Sequence, residues 1–236
     1  MPWRSVGDRM TYMAGMRNRA LAPLYALGAR FDRVLFFNDV LWRADAVLAL
    51  LAARGEAVCA LDLDASGLYD AWVLRDVCGA PVSGAFPYFA GAREQAAVRA
   101  RAPLEVGACW NGVVSLNAAP FLNASGRAPL RFPPARADCF ESECAVLPRL
   151  LFAATASAGP RAVLVPDATV AYEWKWWVWY NVLLRMRVVE WWVEWVERPI
   201  ARAWWPILGP ATRWPGIHVE GEQECVVTDW PRCRRV

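Results

Sequence analysis

The sequence predicts an α/β fold, a mainly parallel sheet with helices packed against it, on three observations. Residues 34–37 form a continuous apolar run that ends abruptly at Asn38-Asp39, the pattern of a strand buried on both faces. Residues 57–61 repeat that pattern and end at Asp62-Leu63-Asp64. Between them, Val47, Leu48 and Leu51 fall at helical spacing over residues 44–54, and Gly55 closes the helix. Strand, helix and strand within about thirty residues make a βαβ unit.

The other elements follow in order. Residues 8–27 read as one helix, with Asp8 as its cap, Met13, Met16, Ala20, Leu24 and Leu27 near helical spacing, Gly28 as its stop and Pro23 as a possible kink. Residues 65–105 read as loop, punctuated by Pro81, Gly84, Pro87, Gly91 and Pro103. Residues 113–116 form a further short strand, and Gly126, Pro129, Pro133 and Pro134 mark a surface loop. A helix opens near Glu141 and Glu143 and runs through Leu151; acids in a first turn suit the helix dipole whatever else they do. Residues 162–165 are a last strand before Pro166. Residues 172–205 then hold nine of the fifteen tryptophans. Trp174, Trp177, Asn181, Leu184, Val188, Trp191 and Trp195 fall on one helical stripe, suited either to a membrane interface or to packing on protein.

Bulk composition narrows the function classes. Of 236 residues, 57% are hydrophobic and 21% charged, which is globular, and a net charge of +3 without any basic block argues against a nucleic-acid partner. Seven cysteines without a CxxC pair, beside a single histidine, His218, do not make a zinc site. They read either as buried thiols or as one to three disulfides of an oxidising lumen, with one thiol left over. Asn123-Ala-Ser125 is a glycosylation sequon and leans toward the second reading. The start, Met1-Pro-Trp-Arg4, reads as neither signal peptide nor anchor, and no eighteen-residue apolar run occurs. GxSxG and P-loop motifs are absent, against a serine hydrolase or a P-loop nucleotide triphosphatase.

Ligands of open α/β sheets bind beyond the carboxyl ends of the strands. Asn38, Asp39, Asp62 and Asp64 fall at two such ends. Three carboxylates on one rim suit a hard cation such as Mg²⁺ or Mn²⁺; singly, each is equally explained as a turn former or helix cap.

Eight stretches in order carry a resemblance. They are Met16-Arg-Asn-Arg-Ala-Leu21, Arg33-Val-Leu-Phe-Phe-Asn-Asp-Val40, Cys59-Ala-Leu-Asp-Leu-Asp64, Tyr69-Asp-Ala-Trp-Val-Leu-Arg-Asp76, Cys109-Trp-Asn-Gly112, Arg131-Phe132, Phe140-Glu-Ser-Glu-Cys144 and Tyr172-Glu-Trp174. With them the chain resembles glycosyltransferase family 69, the fungal α-1,3-mannosyltransferases related to the cryptococcal capsule proteins. The resemblance implies a GT-A fold, a Rossmann-like sandwich, over residues 1–171, followed by a Trp-rich helical segment and irregular tail over 172–236. It also implies that the first nucleotide-binding strands and an anchor lie upstream, leaving the domain N-terminally incomplete. The implied chemistry is retaining α-1,3 transfer of mannose from GDP-mannose to a mannose-containing glycan, in the Golgi lumen and membrane-associated.

On that reading Asp39, alone or with Asp62 or Asp64, holds Mn²⁺ or Mg²⁺. The donor side has Arg17, Asn18, Asn38 and Arg75, with Arg17 or Arg75 as phosphate clamp; either arginine equally suits a packing role. Trp110 stacks on a sugar and Asn111 donates to its hydroxyls, unless Trp110 is core. Glu141 or Glu143 orients the acceptor hydroxyl or serves as base, and Asp76 is a further acid near the acceptor. The rivals are a metal-dependent hydrolase and an inactive paralogue whose Trp-rich segment (172–205) binds a membrane surface or partner.

Overall fold

The structure is a computed structural model that describes residues 5–27, 31–64, 67–122, 128–136, 141–155, 161–197 and 199–200. Its helices are α1 (Val6–Ala20), α2 (Ala22–Leu27), α3 (Ala44–Ala52), α4 (Ala92–Arg99), α5 (Glu143–Ala154), α6 (Trp174–Asn181) and α7 (Arg187–Trp192). Its strands are β1 (Arg33–Phe37), β2 (Ala57–Asp64), β3 (Gly67–Leu68), β4 (Leu104–Val106), β5 (Val113–Asn117) and β6 (Ala162–Ala171). They make one sheet in the order β1-β5-β2-β6-β4, with β3 paired to β2.

The α/β class holds, but the sheet is mixed. β2 and β6 are parallel, whereas β5 runs antiparallel to both β1 and β2, and β4 antiparallel to β6. The β1-α3-β2 unit therefore exists with its two strands pointing the same way, but β5 lies between them. Val113, Val114 and Leu116 of β5 are wholly buried, as suits a strand flanked on both sides by β1 and β2. β1 is an edge strand, half-buried, rather than a strand covered on both faces. Its apolar run conceals an alternation: Val34 and Phe36 pack on the core while Phe37 is exposed.

Two helical layers cover the sheet. On one face, Trp110, Phe121, Phe132, Leu147 and Leu151 join Leu61, Leu63, Val114 and Leu116. On the other, Ala46 and Leu50 of α3 pack on Val58, Ala60, Val113, Val163 and Val170.

Other expectations need correction. The helix over 8–27 is two helices meeting at Leu21, and Ser5, not Asp8, caps the first by accepting from the Asp8 N–H at 2.9 Å. Pro23 accounts for the break, since its ring would strike the carbonyl four residues back and it is tolerated in the first turn of α2. The loop-rich stretch contains α4 and β4; α4 buries only Val98, so its sequence shows almost no apolar period. β6 continues through Pro166 because the chain bulges there: its register against β2 jumps from Cys59↔Leu164 to Leu61↔Thr169. The Trp-rich stripe is not one helix. α6 gives way to a 3-10 turn at Leu183–Arg185, then α7 and a π turn at Val193–Glu197. Among the described residues, no helix is long and apolar enough to cross a membrane. The sequon, His218, Cys139, Cys225, Cys233 and the tail beyond residue 200 lie outside the described residues.

Candidate active site

β1, β2 and β6 run in one direction, so their carboxyl ends share a rim, and antiparallel β5 begins at that same rim. Hydrogen bonds knit it together. The Asn38 N–H donates to the Gly112 carbonyl at 2.8 Å. The Asn38 amide donates to the Tyr172 hydroxyl at 3.1 Å and accepts from the Trp110 indole at 3.4 Å. Asn111 Nδ2 donates to Asp62 Oδ1 at 2.8 Å. This turn needs unusual backbone: Asn111 sits at φ 48° and Gly112 at φ 77°. A Cβ on Gly112 would stand 2.9 Å from Val170 and 3.3 Å from the Asp62 Cβ, so residue 112 must lack one.

Asp62 is the centre. It has no exposed surface, and its Oδ2 is buried without a hydrogen-bond partner. Burial pushes its carboxyl up to about 8, with the neighbouring Asp70 charge adding to the rise and Asn111 opposing it. Asp70 donates its N–H to Asp62 Oδ1 at 3.4 Å. Its own carboxyl is also raised by burial, against the Val73 N–H and the charges of Arg17, Arg75 and Arg9. Burial lifts the Tyr69 phenol, and Asp62, Asp70, Asp64 and Asp39 lift it further. Four carboxylates thus lie near enough to act on one phenol. Tyr69 lies against Tyr172, ring centroids 4.3 Å apart, and burial raises the Tyr172 phenol as well.

A disulfide between Cys59 and Cys109 fastens β2 to the chain leading into this turn, three residues before Asp62 and two before Asn111. Cys78 is also disulfide-bonded, whereas Cys144 is a free, buried thiol pushed up to about 12 by desolvation. Both cysteine readings therefore hold, for different residues.

The remaining predicted residues divide. Asp39 is exposed at the rim, and Asp64 is half-buried with its carbonyl accepting from the Tyr180 hydroxyl at 2.9 Å. Among the described residues, no three acids, cysteines or histidines already stand as a metal-holding group. Arg17 pairs with buried Glu143 and lies over Trp110 at 5.0 Å and Phe132 at 5.8 Å. Glu143 thereby holds Arg17, and its second oxygen has no hydrogen-bond partner.

Trp110 is 1% exposed, so it is core and offers no open face to a sugar. Asn18 spends its amide on Phe132, donating to the carbonyl and accepting from the N–H at 2.9 Å each, which pins the 128–136 segment to α1. It also lines an open groove with Arg19, Tyr25 and Arg131 that includes none of the rim acids. Asp76 is a turn former, accepting from the Cys78 and Ala80 N–H groups at 2.8 Å. Arg75 donates to the Ala71 and Leu74 carbonyls, and Glu141, two residues ahead of α5, pairs with Arg149 of that helix. Sequence reasoning missed Asp70, Tyr69 and Tyr172 as site residues. All three lie inside the quoted stretches, Tyr69-Asp70 and Tyr172-Glu-Trp174.

An α/β sheet whose carboxyl rim gathers acids and amides around a fully buried Asp62 has the layout in which such sheets hold ligands beyond their strand ends. A family model described as cryptococcal mannosyltransferase 1 matches residues 3–149. The chain belongs to that family, and the matched stretch contains every rim residue named above except Tyr172. Membership makes it a glycosyltransferase of mannosyl type, acting between a sugar donor and a glycan acceptor. No curated protein and no solved structure matches it significantly.

Proposed function

We propose that the protein moves mannose from GDP-mannose to a hydroxyl of a mannose-containing glycan, in α-1,3 linkage with retention, on a GT-A-type domain assisted by Mn²⁺ or Mg²⁺. The observation that carries this reading is the unpartnered, buried Oδ2 of Asp62 beside Asp70. Two adjacent desolvated carboxylates need a proton or a cation, and an all-oxygen donor set fits a hard divalent ion. Asp62 and Asp70 would hold it, with Asp39 or Asp64 completing the set. When bound, the ion neutralises the diphosphate that leaves the sugar.

The chain's own groups do the positioning. Asn111 fixes the orientation of Asp62 through its 2.8 Å bond, and Asn38 ties β1 to Tyr172 across the rim. Arg17, buttressed by Glu143, sets positive charge beside Asp70. Transfer breaks the bond from the anomeric carbon to the diphosphate oxygen and makes one to the acceptor oxygen on the same face of the sugar, and the acceptor's proton passes to the departing diphosphate oxygen.

Disulfides at Cys59–Cys109 and Cys78 suit an oxidising compartment, in keeping with the Golgi lumen. Exposed Trp174, Trp191, Trp192 and Trp195 suit contact with a membrane surface. Calorimetry of the full chain with GDP and Mn²⁺ tests the donor site: wild type should bind, and Asp62→Asn should lose the Mn²⁺-dependent part. Unaltered Mn²⁺-dependent affinity in that variant sinks the reading.

A further inference from the structure

Trp110 is buried, yet two other rings stand open at the same rim. Phe37 ends β1 and is 42% exposed; Trp42 follows the Asn38-Asp39 turn and is 48% exposed. Their centroids lie 5.4 Å apart with the planes tilted by 49°. The turn is not loose. The Leu41 N–H donates to the Ala171 carbonyl at 2.8 Å, and Val40 between them is buried. Trp42 is therefore anchored beside the carboxyl end of β6.

The pair also faces the right way. Phe36 points into the core against Trp110 and Phe132, so Phe37 takes the opposite face by strand alternation. Its register partner Val113 packs on that opposite face with Val40 and Val170. The Asp62 Cβ lies there too, beside the Gly112 position that Val40 and Val170 enclose. Only β5 separates β1 from β2, which puts the two strands roughly 10 Å apart. That distance is on the scale of a disaccharide.

We propose that Phe37 and Trp42 form the acceptor subsite, a stacking platform for a pyranose ring of the glycan that receives the mannose. The assignment rests on the glycosyl-transfer reading above. A pyranose presents an apolar C–H face ringed by hydroxyls, and an exposed aromatic ring supplies the matching apolar surface while the hydroxyls stay wet. The patch suits that occupant in size. Phe37, Leu41 and Trp42 are its exposed apolar members, with exposed Asp39 and Asp45 and half-buried Arg43 beside them in sequence. Three half-exposed side chains fall well short of the ~800 Å² per partner of a stable protein interface.

The test is calorimetry of the full chain with an α-linked mannotriose, and separately with GDP plus Mn²⁺. Wild type should bind the trisaccharide. Trp42→Ala should weaken it about tenfold, and Phe37→Ala with Trp42→Ala should remove measurable binding. Equal affinity in wild type and the double variant overturns the platform. Should the double variant fail to fold, Trp42→Phe against Trp42→Leu decides: the platform requires the aromatic substitute to keep affinity and the aliphatic one to lose it. If wild type binds GDP with Mn²⁺ but no trisaccharide, the platform falls and the donor reading stands. Trisaccharide bound through these rings without any GDP binding has the opposite meaning. Binding of neither ligand sinks both.

Discussion

The two ends of the sheet are built from similar residues and finished differently. At the end opposite the rim, Arg33 donates to the Gly55 carbonyl at 2.7 Å and to Ser115 Oγ and carbonyl at 2.9 and 2.8 Å. Buried Glu56 accepts from Asn117 Nδ2 at 2.7 Å, and the Asn117 N–H donates to the Glu56 carbonyl. Cation, anion and amide each find partners there, and the Glu56 charge favours the Arg33 guanidinium nearby. At the carboxyl rim, Asp62 has an amide for one oxygen and nothing for the other, with a second acid as neighbour. The same β2 strand thus begins beside a satisfied network and ends at an unsatisfied carboxylate. Evenly distributed folding demands would leave neither end short; the orphaned oxygen sets the carboxyl rim apart from the far end of the sheet.

The largest effect should come from breaking the unsatisfied end. Asp62→Asn keeps the shape and an acceptor for Asn111 but removes the charge. Mannosyl transfer should fall by roughly 10²–10³-fold, the scale of losing a preorganised electrostatic group. The melting temperature should hold where the Asp62 carboxyl is protonated, and rise above about pH 8, where a desolvated charge is removed. Turnover near wild-type level would mean that the orphaned oxygen is not the functional one.

The cation should reverse a pH trend at this end. Asp62 binds its proton more tightly in the folded protein than in the unfolded one. Without a cation its stabilising contribution is therefore complete below the ordinary carboxylate range and is lost as pH rises through about 8. Mn²⁺ competes with that proton, so the Mn²⁺-induced rise in melting temperature should grow from pH 5.5 to pH 8.5. At a hundredfold excess over its Kd the ion adds about 2.7 kcal/mol. A rise that is flat with pH, or that persists in Asp62→Asn, would remove Asp62 from the site.

Cutting the Cys59–Cys109 bond probes the scaffold under the rim. Replacing both by alanine should cost about 2–4 kcal/mol of stability by denaturant titration. It should also weaken GDP–Mn²⁺ binding in the molecules that remain folded, because Asp62 and Asn111 lose their common tether. Undiminished binding would show that the turn holds itself.

Much of this was legible in residues 31–64, where apolar runs and their abrupt acidic ends located β1, α3, β2 and the rim. Order across the sheet was not. Periodicity reports which residues are buried, not which strand pairs with which, so β5 between β1 and β2 could not be read. The edge position of β1 was hidden for the same reason: a four-residue apolar run looks alike whether Phe37 is covered or open. Residue chemistry suggested Trp110 as the sugar-binding ring, but burial reserves it for the core and leaves Phe37 and Trp42 outside. Asp70 carried no strand-end signal of its own. It reaches Asp62 by a chain reversal through β3, a two-residue strand too short for any period.

The smallest effect, and the one that sharpens the contrast most, belongs to the satisfied end. Glu56→Ala strips the Asn117 amide of its acceptor and leaves the Arg33 guanidinium without the nearby carboxylate that offsets its desolvation. Both groups stay buried or half-buried, so the cost should be about 1–3 kcal/mol, or roughly 2–4 °C in melting temperature for each kcal/mol. Turnover per folded molecule should not change, since the altered network lies at the far end of β2 from Asp62. The two ends would then separate cleanly: one substitution lowers stability and spares transfer, the other spares stability and cripples transfer. Loss of transfer in Glu56→Ala without loss of stability would show that the ends are coupled through β2 and that polar satisfaction does not distinguish scaffold from site.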